Sequence, residues 1–310
     1  MKSIKTLTKV SIFFNFIFIF VFIILSYSEL RCSNFFNKLF DDILGIEIVN
    51  FKCNKNEYLN DVRYSEIKSK INLSCPSDTD VIILIGQSNS ANYVIDNKIY
   101  QDYQQLNYYD GKCYVLSNPV LGATFSYSNN YRSSIAPLLS QKIIQDKPTI
   151  FLTNGYGGTS IKSWADKHSN LNKFLYENIK EITNNRNSSS NKVKYVIFFQ
   201  GEADSNKDIN YKKYFKKFYN SFLKKFNEKD KKNIKFIISL STICFGEKDL
   251  NLYNQQKELL QLFPKIIGYV DTDKIDKKFR YDGCHFNKEG IEIITNEIAE
   301  IINSDRKNNF

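Results

Sequence analysis

Five short apolar runs, alternating with stretches of helical periodicity, constrain this chain most. They occupy residues 81–85, 149–153, 193–199, 234–240 and 266–270. Each is brief, rich in β-branched or aromatic residues, and continuous rather than alternating, which fits strands covered on both faces. Between and after them, apolar residues recur at steps of three and four over 135–144, 171–182, 209–226, 250–263 and 288–302. Strands alternating with helices imply βαβ units and a parallel sheet flanked by helices. The reading is an α/β fold, a three-layer α/β/α sandwich with a five-stranded parallel sheet. It spans 78–303, ends in a polar tail at 304–310, and carries one low-complexity surface loop at 184–191.

The segment ahead of this domain has a different character. Lys2, Lys5 and Lys9 precede a nearly uninterrupted apolar stretch that ends near Ser26-Tyr27-Ser28. As a helix the stretch is about 26 Å long, slightly short of a ~30 Å hydrocarbon core. Residues 1–28 therefore read as a signal peptide or as an uncleaved signal anchor, and both place the rest of the chain in the lumen or outside. Membrane contact is expected only through such an anchor. Residues 29–77 read as an N-terminal extension. Phe35, Phe36, Leu39, Phe40, Ile43 and Leu44 form a helical stripe there, and a polar stretch follows between Cys53 and Cys75. Six cysteines behind a leader predict disulfides, and without Cys-x-x-Cys or paired-histidine spacing no metal site is expected. Asn72-Leu73-Ser74 and Asn187-Ser188-Ser189 fit the N-glycosylation pattern.

The net charge of +10 comes mostly from lysines. In the densest run, 207–235, Tyr211, Phe215, Phe218, Phe222 and Phe226 fall at helical steps. That is an amphipathic helix with its lysines in water, and no nucleic-acid partner is expected.

In an open parallel sheet, ligands bind beyond the carboxyl ends of the strands. The residues just after each run are therefore the informative ones. Gly86-Gln87-Ser88-Asn89-Ser90 follows the first run and could present a nucleophile in a tight turn; taken alone, Ser88 and Asn89 read as caps of a following helix. A glycine loop, Asn154-Gly155-Tyr156-Gly157-Gly158-Thr159-Ser160, follows the second, with Trp164 soon after, either packed or lining a sugar site. Gln200-Gly201-Glu202-Ala203-Asp204 follows the third; its acids suit metal binding, acid chemistry or a helix N-terminus. Asp282-Gly283-Cys284-His285 stands before the last helix, and the other histidine, His168, sits in a polar surface stretch. Together these supply a nucleophile, a base, an orienting acid and neutral donors, the set required for acyl transfer.

At these motifs the sequence resembles the SGNH-hydrolase superfamily, with its flavodoxin-like sheet, and more closely the sialate O-acetylesterase and plant-type carbohydrate acetylesterase group. The resemblance rests on Gly86-Gln87-Ser88-Asn89, on Gly157-Gly158-Thr159-Ser160 with Trp164, on Gln200-Gly201-Glu202, and on Asp282-x-x-His285. Ser90 and Ala203 depart from the group's usual pattern. The resemblance implies a serine esterase that removes O-acetyl groups from a glycan such as sialic acid, without a cofactor. Ser88, Asp282 and His285 would be catalytic. Ser88, Gly157, Gly158 and Gln200 would form the oxyanion hole, and Gln87, Asn89, Trp164 and Glu202 would contact substrate. Cys244 and Cys284 lie near one sheet edge, either disulfide-bonded and pinning His285 or as separate thiols. The competing readings are an esterase for lipid or another acyl group, and an inactive membrane-tethered glycan-binding protein.

Overall fold

The computed structural model describes residues 70–95, 101–125, 133–144, 147–183 and 191–308. All of them belong to the compact unit that begins at Tyr58. The expected leader, the stripe over 34–44, Cys32, Cys53 and Asn187 lie outside the described residues.

The sheet contains β1 (Asn72–Leu73), β2 (Asp80–Gly86), β3 (Gln101–Tyr109), β4 (Lys112–Ser117), β5 (Ile150–Gly155), β6 (Lys192–Phe199), β7 (Lys235–Leu240) and β8 (Ile266–Asp271). Their spatial order is β1-β4-β3-β5-β2-β6-β7-β8. The five predicted runs are β2, β5, β6, β7 and β8, and every pairing among them is parallel. Counted along the chain, they stand in the flavodoxin-like order 2-1-3-4-5.

The sheet has eight strands rather than the expected five. β3 pairs parallel with β5, while β4 and β1 extend that edge antiparallel. β3 escapes an apolar-run search because buried, internally satisfied Gln105 and Asn107 interrupt its buried Leu106, Tyr108 and Tyr109. The Asn107 side-chain oxygen accepts from Leu121 N–H at 2.6 Å, and that of Gln105 accepts from Thr149 N–H at 2.6 Å. Ahead of residue 78, β1 joins the sheet and Cys75 is bonded to Cys113. Asn72 stands exposed on that edge.

Seven α-helices are described: α1 (Ile135–Ser140), α2 (Ile161–Ala165), α3 (Asn170–Thr183), α4 (Tyr211–Leu223), α5 (Glu228–Asn233), α6 (Leu250–Leu262) and α7 (Lys288–Lys307). Val81, Ile83 and Ile85 of β2 pack with α2, α3, α4 and α6; Ile82 and Leu84 pack with α1 and α7. Both faces of the strand are dry, which is why the run is continuous. The expected helix over 209–226 ends at Leu223. The tail is helical as far as Lys307, held by Asp305, which accepts from the Tyr195 hydroxyl at 2.9 Å and pairs with Lys235.

Candidate active site

β2 and β6 lie where the strand order reverses, and their carboxyl ends converge tightly. Gly86 has φ +131°, and a Cβ there would sit 1.8 Å from the Phe199 carbonyl oxygen, so this approach requires glycine. Gln87 N–H donates to that oxygen at 2.8 Å, and Tyr156 N–H donates to the Gly86 carbonyl at 2.8 Å. The chain then makes one 3-10 turn, Ser88–Ser90, stiffened by Ser90 Oγ donating to the Gln87 carbonyl at 2.7 Å. Among the described residues no α-helix follows before α1, and Ser88 and Asn89 form the turn itself rather than capping a helix.

Asp282 and His285 meet in the loop before α7. His285 Nδ1 lies 2.6 Å from Asp282 Oδ2, while Oδ1 accepts the N–H groups of Cys284 at 2.9 Å and His285 at 2.7 Å. Burial raises the Asp282 carboxyl, but these hydrogen bonds outweigh it and hold the group below the ordinary carboxylate range. The imidazole is only 13% exposed and stacks on Tyr93, with ring centroids 5.0 Å apart.

Several contacts fasten this loop to the serine turn. Asn89 Nδ2 donates to Glu202 Oε1 at 2.8 Å and to the Cys284 carbonyl at 3.4 Å. The same carbonyl accepts from the Arg280 guanidinium at 2.6 Å, whose other arm reaches the Thr272 carbonyl at 2.9 Å. Burial pushes the Arg280 guanidinium down, while Glu202, Asp273 and Asp282 push it back toward the charged form. Tyr281 hydroxyl donates to the Tyr93 carbonyl at 3.0 Å, and Cys244 is disulfide-bonded to Cys284. Ser88 Oγ makes no hydrogen bond among the described residues, nor does His285 Nε2.

Other expected site residues take different roles. Gln200 is fully buried and spends both amide hydrogens internally, on Asp204 Oδ2 at 2.6 Å and the Thr159 carbonyl at 3.2 Å. Gly157 N–H is given to Thr124 Oγ1 at 2.9 Å. Neither is therefore placed to donate to an oxyanion. The N–H groups of Ser88 and Gly158 have no acceptor among the described residues. Trp164 lines no sugar site: it is 0% exposed, edge-on to Phe198 and Phe218 with centroids 6.0 and 6.1 Å away. Gln87 is an internal brace, its side-chain oxygen accepting from Ala203 N–H at 2.9 Å and Gly201 N–H at 3.3 Å. Asn89 and Glu202 are buried and bonded to each other. Asp204 lies at the start of α2, accepting from Ile161 N–H at 2.7 Å and Ser160 Oγ at 2.5 Å.

The sequence profile of the family described as "Carbohydrate esterase, sialic acid-specific acetylesterase" matches residues 78–304, well over half of the chain. The chain belongs to this family. Membership makes it a carboxylic ester hydrolase whose substrate class is acetylated carbohydrate. Among solved structures, a protein from Arabidopsis thaliana is 16% identical with a TM-score of 0.59, the match covering 74% of this chain and 99% of that one. NanS is 13% identical with a TM-score of 0.58, covering 76% and 99% respectively. At such identities the likeness is one of fold. No curated protein sequence matches the chain.

Several residues that shape this carbohydrate esterase's site carried no sequence motif. Tyr93 and Tyr281 flank the imidazole, with Tyr281 and His285 centroids 5.9 Å apart. Thr124 occupies the Gly157 N–H, and Arg280 grips the histidine loop from below. Arg280, two residues before Asp282 and flanked by Phe279 and Tyr281, was the one accessible signal, a basic residue at the edge of a candidate motif.

Proposed function

We propose that this esterase hydrolyses O-acetyl esters on a glycan, sialic acid or another acetylated sugar, through a Ser88-His285-Asp282 triad and an acyl-enzyme. The observation that carries the reading is the Asp282–His285 pair, 2.6 Å between Oδ2 and Nδ1, tied to the serine turn through Asn89 and the Cys284 carbonyl. Asp282 selects the tautomer with its proton on Nδ1, which leaves Nε2 as the base for the Ser88 hydroxyl. The serine–imidazole hydrogen bond closes when substrate is bound, as such contacts commonly do. Ser88 oxygen attacks the acetyl carbonyl, and the oxyanion is received by the Ser88 and Gly158 N–H groups. The imidazolium then protonates the leaving sugar oxygen, and water, deprotonated by the same imidazole, releases acetate. The two disulfides and the charged, apolar leader support a secreted or membrane-anchored enzyme with this domain in the lumen or outside.

The test is hydrolysis of p-nitrophenyl acetate and of O-acetylated N-acetylneuraminic acid by the full chain, beside Ser88→Ala and His285→Ala. Each substitution is expected to lower kcat at least ~10³-fold with the fold intact by circular dichroism. Equal rates in all three proteins overturn the triad.

A further inference from the structure

We infer that Phe245, together with the bare backbone of Gly283, forms a stacking shelf for a pyranose ring of the acetylated substrate, an inference that rests on the proposed esterase function. Trp164, the aromatic residue the sequence offered for that role, lies in the core, so the sugar needs another apolar surface beside the reacting centre. Phe245 is 73% exposed, the most exposed of the large apolar residues among those described. A lone exposed apolar side chain is ordinary; three observations set this one apart.

The first is position. Phe245 N–H donates to the Gly283 carbonyl at 3.1 Å, and the preceding Cys244 is disulfide-bonded to Cys284. Phe245 is thus fixed by two links to the residues between Asp282 and His285. The second is orientation. A Cβ built on Gly283 would lie 3.9 Å from both the Cα and the Cδ1 of Phe245, so one ring edge rests over the glycine. Gly283 itself has φ +82°, a conformation that keeps a side chain out and leaves this strip of backbone bare. The third is strain. Phe245 has φ +57°, a left-handed conformation that costs a bulky residue free energy. Neither core packing nor burial of the ring offsets that cost. A sugar ring presents axial C–H groups on one face and hydroxyls at its rim. Stacked on Phe245, it would hold an ester-bearing hydroxyl toward the Asp282–His285 side of the site.

The experiment compares Phe245→Leu and Phe245→Trp with the unaltered full chain on two esters, p-nitrophenyl acetate and O-acetylated N-acetylneuraminic acid, with a fully acetylated methyl xyloside as a second sugar. For Phe245→Leu, kcat/KM on the sugar esters relative to p-nitrophenyl acetate is expected to fall roughly three- to ten-fold, mainly through KM. Phe245→Trp restores the ratio. An unchanged ratio in Phe245→Leu overturns the shelf while leaving the esterase reading standing. An unaltered chain that cleaves p-nitrophenyl acetate but neither sugar ester also overturns it. An unaltered chain inactive on all three removes the esterase reading and the shelf together.

Discussion

A carboxylate that accepts two backbone N–H groups and an imidazole proton, as Asp282 does, stays ionised well into acid. Its folded-state pKa is lowered, so its contribution to stability is present above the ordinary value near ~3.9 and is lost as pH falls through the lowered one. Asp282→Asn is therefore expected to flatten the acid limb of stability, read as urea midpoints between about pH 5 and 2.5. It is also expected to cut kcat by ~10²–10⁴ at neutral pH, since an amide no longer selects the Nδ1 proton. Gln200 calls for a different expectation. Its amide is one of three donors to the buried Asp204, so Gln200→Ala should cost about 1–3 kcal/mol of stability. Gln200→Glu should cost more, by setting a second carboxyl against the first; thermal melts of the two variants decide this. These residues also mark how far single positions were legible. Proximity of Ser88, Asp282, His285 and Gln200 follows from their places at strand ends. Which of their hydrogens are already committed does not: Gln200 gives one to Asp204 across its own turn, and Gly157 gives its N–H to Thr124 through a tertiary contact that no spacing encodes.

Among the elements, β2, β5, β6, β7 and β8 were legible in the sequence, while β1, β3 and β4 were not. β2, β5, β6, β7 and β8 bury apolar side chains on both faces, so each run announces itself. β3 buries Gln105 and Asn107 and satisfies them with Thr149 and Leu121 N–H groups, so its sequence looks like a loop. The loop after β7 and the loop before α7 are each short of secondary structure, and the Cys244–Cys284 bond joins them across 40 residues. Closing a loop of that size in the unfolded chain corresponds to about 4 kcal/mol. Cys244→Ser with Cys284→Ser is expected to lower the unfolding midpoint accordingly. It should also lower kcat, because the Cys284 carbonyl beside the imidazole then keeps only its bonds from Arg280 and Asn89. A loss of stability without any loss of kcat would show that those two residues suffice to hold His285.

At the scale of the molecule, the family match begins at residue 78, while the fold begins earlier. Lys70 Nζ donates to the Ser117 carbonyl at 2.8 Å and to its hydroxyl at 2.7 Å. β1 covers the outer edge of β4, and Cys75 bonds Cys113 across 38 residues. None of these contacts touches β2, β6 or the histidine loop, so they belong to stability rather than to the chemistry. A chain shortened to start at residue 78 should therefore keep its turnover per folded molecule. It should lose about 4 kcal/mol from the missing crosslink, expose the β4 edge to pairing with other copies, and leave Cys113 as an unpaired thiol. A chain starting at residue 70 keeps β1 and the Cys75–Cys113 bond and should therefore be the more stable of the two shortened chains. Denaturation midpoints and light scattering of the two shortened chains, beside their rates on p-nitrophenyl acetate, separate the contributions. Should the shorter chain lose turnover in step with stability, the antiparallel edge would be supporting the active site through β3 and β5, and the sheet would act as one cooperative unit from Asn72 to Asp271.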